Sequence, residues 1–335
     1  MHLPALMLLL VLLVGCGEQE PIIDPEVLKP IPQSEPIAAA FYRYQRDTSQ
    51  EFLAQVNALE SDITSFLSKP DQANLLAAQQ TWQKAHTTFS AAQFGFISNS
   101  RTLQEILFRV DAWPIQPGFI DNLPNYPVSG VVFDETLPMD LEHLTTQHGI
   151  TDNEEVILGF HALELLLFTR SIADYELANQ GHIARRRQLL ELVTVKLIED
   201  ADLLVKESSQ GTADLEADAL LHLLLQETLR KIRNIYRESN LVAAQGAGHA
   251  LNQERSLLVL KAELLGLEKF LVSEVPLAQA FEAQDPATYK NFIVTLERAQ
   301  LIVSDQTADP LAVAELPLVL AALTHQLEAF ATQQP

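Results

Sequence analysis

From about residue 36 onward, apolar residues recur at three- and four-residue intervals, and the strict alternation of a half-buried strand is nearly absent. The spacing predicts helices over about 36–68, 71–98, 101–109, 152–170, 183–208, 213–240, 252–272, 286–304 and 310–332. Prolines 70, 276, 286, 310 and 317 fall at or near the ends of these segments, where a fixed φ and a missing N–H are tolerated. Asp285-Pro286 and Asp309-Pro310 each read as a cap followed by a first helical residue. Long Ala- and Leu-rich helices with short breaks predict an all-α protein of up-and-down bundles.

One stretch breaks the rhythm. Residues 111–138 hold five prolines, including Trp113-Pro114 and Pro117, and read as a long irregular Trp-Pro loop. Such a loop inside a compact helical chain often carries function. It divides a first bundle, about 37–110, from a second, about 139–332, with a lesser interruption at 171–184.

The first fifteen residues are apolar but too few to span a bilayer core, which needs about 20. They suit the hydrophobic core of a signal peptide, although His2 stands where a basic n-region is usual. Leu13-Val14-Gly15-Cys16 reads as a lipobox, so residues 1–15 are expected to be removed and Cys16, the only cysteine, lipidated. Residues 16–36, with prolines at 21, 25, 30, 32 and 36, read as an extended tether ahead of a domain spanning 37–335. The expected location is the periplasmic face of a bacterial membrane. Gly17 lacks the aspartate that retains some lipoproteins at the inner membrane, which favours the outer one.

Charge narrows the partners. With 44 acidic and 22 basic residues the net charge is −22, which argues against nucleic acid and against electrostatic adhesion to anionic lipid. The acyl chain is then the membrane contact.

The clearest chemical signal lies in Gly159-Phe160-His161-Ala162-Leu163-Glu164. From Val156 to Phe168 every other residue is apolar, so His161 and Glu164 are two ionisable groups on one face of a buried helix. Buried unpaired they would cost several kcal/mol, so partners are required. An imidazole beside a carboxylate is half of a transition-metal site; a plain His–Glu hydrogen bond between helices satisfies the same spacing. Asp111 and Asp121 are loop carboxylates able to complete such a site or to cap turns. His143 and His148, near Glu142, are weaker ligand candidates. Arg185-Arg186-Arg187 and the face of Arg230, Arg233 and Arg237 read as ion-pairing groups, and Trp82 and Trp113 as packing. HExxH is absent, and the inverted form would need histidine where Leu165 stands.

Gly159-Phe160-His161-Ala162-Leu163-Glu164 resembles the GxHxxE signature of imelysin-like proteins. Trp82 to Phe96 resembles that family's first-bundle helix, and Asp111-Ala112-Trp113-Pro114 with Phe119-Ile120-Asp121 its Trp-Pro loop. The resemblance covers about 40–330. It implies two helical bundles with a site near their interface, and a role in iron acquisition through a metal ion, iron before zinc, at His161 and Glu164. Haem and an iron-transport partner protein stay open as ligand and partner. A metallopeptidase using the same His/Glu pair is the alternative the family name carries. His86 and Gln93 stand where the family usually has arginine and glutamate, which makes His86 a candidate lining residue of an altered site beside Gly159.

Overall fold

The structure is a computed structural model, and it describes residues 33–98, 100–176, 181–246, 248–282, 285–304 and 310–332. Cys16, the signal segment, nearly all of the tether and the Asp309 cap lie outside the described residues.

The periodicity becomes helices close to the expected bounds. α1 (Ser34–Ser68) ends before Lys69-Pro70, and α2 (Gln72–Ala92) is capped by Asp71, whose carboxylate accepts from Asn74 N at 2.9 Å. A 3-10 turn, Gln93–Gly95, follows α2, and then α3 (Arg101–Asp111). The long helices α8 (Gly181–Thr212), α9 (Ala217–Gln245), α10 (Gln253–Glu268), α12 (Pro286–Ser304) and α13 (Pro310–Thr332) complete the frame, with a π-helical turn extending α10. Asp285 caps α12 as expected, accepting from Thr288 N at 3.0 Å. Among the described residues there is no strand, only an isolated bridge between Leu123 and Tyr126.

The Trp-Pro loop is less irregular than its prolines suggest. It contains one helical turn, α4 (Pro117–Ile120), and is followed by α5 (Leu141–Gln147), which the apolar pattern does not mark. Arg185 holds the loop down by donating to the carbonyls of Val131, Val132, Asp134 and Leu137. The short α7 (Ala173–Glu176) fills the lesser interruption.

α6 (Gly159–Phe168) starts seven residues later than the pattern predicts. Thr151, Asp152 and Glu155 build a turn instead of a cap: Thr151 Oγ1 donates to Glu155 Oε2 at 2.6 Å, and Glu154 N to Asp152 Oδ1 at 2.9 Å. The next two free amides, Ile157 N and Leu158 N, both donate to His148 Nδ1. Once α6 does start it is apolar all round, and every residue from Gly159 to Leu167 is buried.

Two buried clusters result. One combines the start of α1 with α9, α10, α12 and α13; the other combines the rest of α1 with α2, α3, the loop, α6 and α8. The cores therefore do not divide at residues 111–138. α1, 35 residues and about 52 Å long, passes through both, and α6 and α8 join the helices that precede the loop. The site lies where α2, α3 and α6 of the second cluster meet the segment between α9 and α10.

Candidate metal centre

Four side chains from four chain segments converge. His86 is on α2, Asp111 ends α3, His161 is in the first turn of α6, and His249 lies between α9 and α10. One ligand atom from each lies within 4.8 Å of all the others.

Local structure explains the convergence. Gly159 has φ +80°, and a Cβ there would stand 2.2 Å from Arg109 O and 2.4 Å from Val110 O. Only glycine lets the start of α6 press on the last turn of α3, which sets His161 beside Asp111. Trp82 ties α2 to the same place by donating from Nε1 to Phe160 O at 2.9 Å. Trp113, whose bond to Pro114 is cis, lays its ring 4.7 Å from that of His161.

Asp111 is the hub. Its Oδ1 is 2.9 Å from His86 Nε2 and 3.3 Å from His161 Nε2, and its Oδ2 is 2.9 Å from His249 Nε2. A carboxylate at a helix C-terminus opposes the helix dipole, so three imidazoles on one aspartate are also its compensation. The contact to His161 is within ion-pairing distance but not aligned as a hydrogen bond. His161 Nε2 is fully buried with no hydrogen-bond partner. Behind the ring, His161 Nδ1 is 3.1 Å from Glu164 Oε2; behind His249, Nδ1 is 3.1 Å from Glu238 Oε1. Each carboxylate orients its imidazole so that Nε2 faces inward, an arrangement that recurs around protein-bound metals.

The electrostatics follow from burial set against neighbours. Burial drives Asp111 up, but His249 and His86 outweigh it and hold the carboxyl well below its ordinary value. For His86 burial wins over Asp111 and lowers the imidazole. For His161 burial is outweighed by the neighbouring carboxylates of Asp111 and Glu164, and the group is raised. His249 is raised well above its usual value, burial being overcome by Glu238 and Asp111. Glu164 is lowered: burial is overcome by His161, by the Leu251 amide and by Arg255.

The sequence-derived candidates separate cleanly. His161, Asp111 and His86 are brought together, and Gly159 sits at the contact that joins two of them. Glu164 stands one layer out: its Oε1 is taken by Leu251 N at 3.0 Å and Arg255 Nε at 2.6 Å, and its Oε2 faces His161. Asp121, expected as a lining residue, is instead buried in an ion pair with Arg186 at 2.5 Å and is 3.2 Å from Arg170. His143 pairs with Asp140 on the surface, and His148 accepts the backbone amides before α6. Arg230 and Arg233 pair with Glu227 and Glu328, as an ion-pair face should.

Two residues of the centre are not marked by the sequence, His249 and its partner Glu238. The signal available was a histidine beside glycines 246 and 248, in a short gap between two predicted helices.

The donor set suits a transition metal. Three imidazole nitrogens and one carboxylate oxygen favour ions such as iron, zinc, copper or nickel over the oxygen-seeking calcium and magnesium. His161 Nε2, buried and without a hydrogen-bond partner, is an atom that such an ion would satisfy.

Comparison with known proteins supports the fold from outside. The family model described as imelysin matches residues 42–313. A crystal structure described as an iron-regulated protein A precursor from Parabacteroides distasonis ATCC 8503 superposes with TM-score 0.65 at 11% identity, covering 91% of this chain and 97% of that one. An imelysin-like protein from Psychrobacter arcticum 273-4 superposes with TM-score 0.65 at 15% identity, covering 88% and 94%. No curated protein matches the sequence.

Proposed function

The chain belongs to the imelysin family, and from that premise we propose that it is a lipid-anchored periplasmic protein of iron acquisition that binds a metal ion at His86, Asp111, His161 and His249. The observation that carries the reading is the convergence of three imidazole nitrogens and one carboxylate, among them His161 Nε2, a buried nitrogen with no hydrogen-bond partner. Glu164 and Glu238 hold two of the imidazoles in the ligating orientation. An ion bound there would supply a positive charge to a pocket whose polar atoms already point at it. Iron as cargo is supported by the neighbouring fold described as iron-regulated.

The ligand favoured is a bare ion. The rings of His86 and His161 are 5.0 Å apart, those of His161 and His249 4.8 Å, and Trp113 packs on His161, so a porphyrin plate has no slot among them. Both oxygens of Glu164 are engaged, which supports binding over a role for that carboxylate as the general base of a peptidase. The address rests on the lipobox and the Pro-rich tether of the sequence, with Cys16 as the acylated residue and the outer membrane favoured.

Metal analysis of the purified chain tests the reading: about one equivalent of iron or a substitute ion in wild type, and loss of it in His86→Ala, Asp111→Ala, His161→Ala and His249→Ala. Equal metal content in all five proteins would sink it. Acyl labelling that persists in Cys16→Ser would remove the anchor.

A further inference from the structure

We propose that Arg255, acting through Glu164, is a positioning residue that clasps the His249 segment onto α6 and governs how fast a bound ion leaves. The proposal rests on the metal-binding reading above and assigns Glu164 and Arg255 a part in it that ligand chemistry alone does not.

Glu164 is buried and has two faces. Its Oε2 orients His161, the α6 ligand, at 3.1 Å. Its Oε1 accepts two hydrogen bonds from one short stretch: Leu251 N, two residues beyond His249, at 3.0 Å, and Arg255 Nε, in the first turn of α10, at 2.6 Å. A single carboxylate therefore ties the α6 ligand to the segment between α9 and α10 that delivers His249. Arg255 is fixed further by its guanidinium, which lies 4.4 Å from the ring centre of Phe168, the last residue of α6. Neither Arg255 nor Leu251 belongs to the ligand set.

Exposure gives the clasp its consequence. His86 and His161 are enclosed, whereas the side chains of Asp111 and His249 each retain 14% of their accessible surface. An ion must pass on the side of these two, and Asp111 is anchored at the end of α3. His249 is held on an irregular segment whose attachment to α6 runs through Glu164 Oε1. Both bonds end on the same carboxylate, but Arg255 adds an opposite full charge at the shorter distance, 2.6 Å against 3.0 Å, so it supplies the larger share of that attachment. Weakening it frees His249 to swing without removing any ligand, which raises the rate of release and leaves the coordination unchanged.

Cobalt(II) is the probe, because its visible absorption reports its ligands. The purified chain is loaded with cobalt and mixed with excess chelator. Arg255→Ala is expected to bind the same single equivalent with the same spectrum and to lose it at least about tenfold faster than wild type, within the range usual for outer-layer partners. Arg255→Lys should fall between, since an ammonium cannot reproduce the planar donor over Phe168. Release within twofold of wild type, or an altered spectrum in Arg255→Ala, overturns the clasp. Hydrogen exchange in the metal-free proteins is the second measurement. The Leu251 amide should exchange at least about tenfold faster in Arg255→Ala and unchanged in Arg233→Ala, a surface ion-pair control. If wild type takes up no cobalt, the metal-binding reading fails and exchange alone decides the clasp: protection of Leu251 unaltered by Arg255→Ala refutes it.

Discussion

α6 and the segment 248–252 each deliver one histidine to the same centre, and they are held by opposite physics. α6 is fixed by packing: nine of its ten residues are buried, and all but His161 and Glu164 of those are apolar or glycine. The segment 248–252 is irregular and fixed by polar contacts. Gly248 N donates to Ser256 Oγ at 2.9 Å, His249 lies between Asp111 and Glu238, Leu251 N donates to Glu164, and Asn252 Oδ1 caps α10. One histidine is placed by volume, the other by charge and hydrogen bonding. Changes to the first should act on folding, and changes to the second on the grip around an ion.

The largest expected effect sits on the packed side. Gly159→Ala should destabilise by about 3 kcal/mol or more, because positive φ and overlap with two backbone carbonyls add together. Denaturant unfolding measures it, and a cost below 1 kcal/mol would mean that α3 and α6 are not pressed together. Leu166→Ala, at a fully buried site, should cost about 2–5 kcal/mol while metal affinity in the folded protein changes little. A large affinity loss there would erase the distinction between the two regions.

On the polar side, Glu238→Gln should lower metal affinity about 10- to 100-fold by titration with little change in unfolding midpoint, since it removes the carboxylate that orients His249 through Nδ1. Ser256→Ala strands the Gly248 amide and should cost about 1–2 kcal/mol, together with looser metal binding. If only stability moves, the segment is not held as described.

The smallest effect is a pH trend. Lys231, buried beside Phe94 with its ammonium donating to Gln93 O, is brought down to about 7, first by burial and then by Arg230. Its unfolded value is higher, near 10.5, so between pH 7 and 10.5 the unfolded chain holds the extra proton. Wild type should therefore gain stability relative to Lys231→Met as pH rises through that window, by at most about 1.4 kcal/mol per unit. Thermal melts at pH 7 and 9 decide it, and a difference that is constant or shrinks contradicts the burial of a neutral amine.

Most of the fold was legible because long amphipathic helices announce themselves by period, as α1, α8, α9, α12 and α13 do. The start of α6 was not. Thr151, Asp152 and Glu155 have the composition of a helix cap, and the histidine that captures the next amides, His148, lies outside the apolar pattern. The site was half legible for a similar reason. His161 stood out as an ionisable group in an apolar run, and Asp111 and His86 through the Trp-Pro loop and the departure from family pattern. Asp121 looked the same as Asp111 in sequence; what separates them is Arg186, 65 positions away. His249 sits 138 positions from Asp111 in a stretch with no period, and Glu238 reads as an ordinary polar helix position. Distance along the chain hid both.

The uninterrupted course of α1 through both cores has a mechanical consequence. After Pro36 in its first turn the helix contains no glycine or proline, so it offers no hinge. The two halves share a stiff spine and cannot part along it without breaking helical hydrogen bonds. Any breathing that admits an ion is then confined to crossings α1 does not make. The small segment carrying His249 is one of these, and it can yield while the rest of the frame stays still.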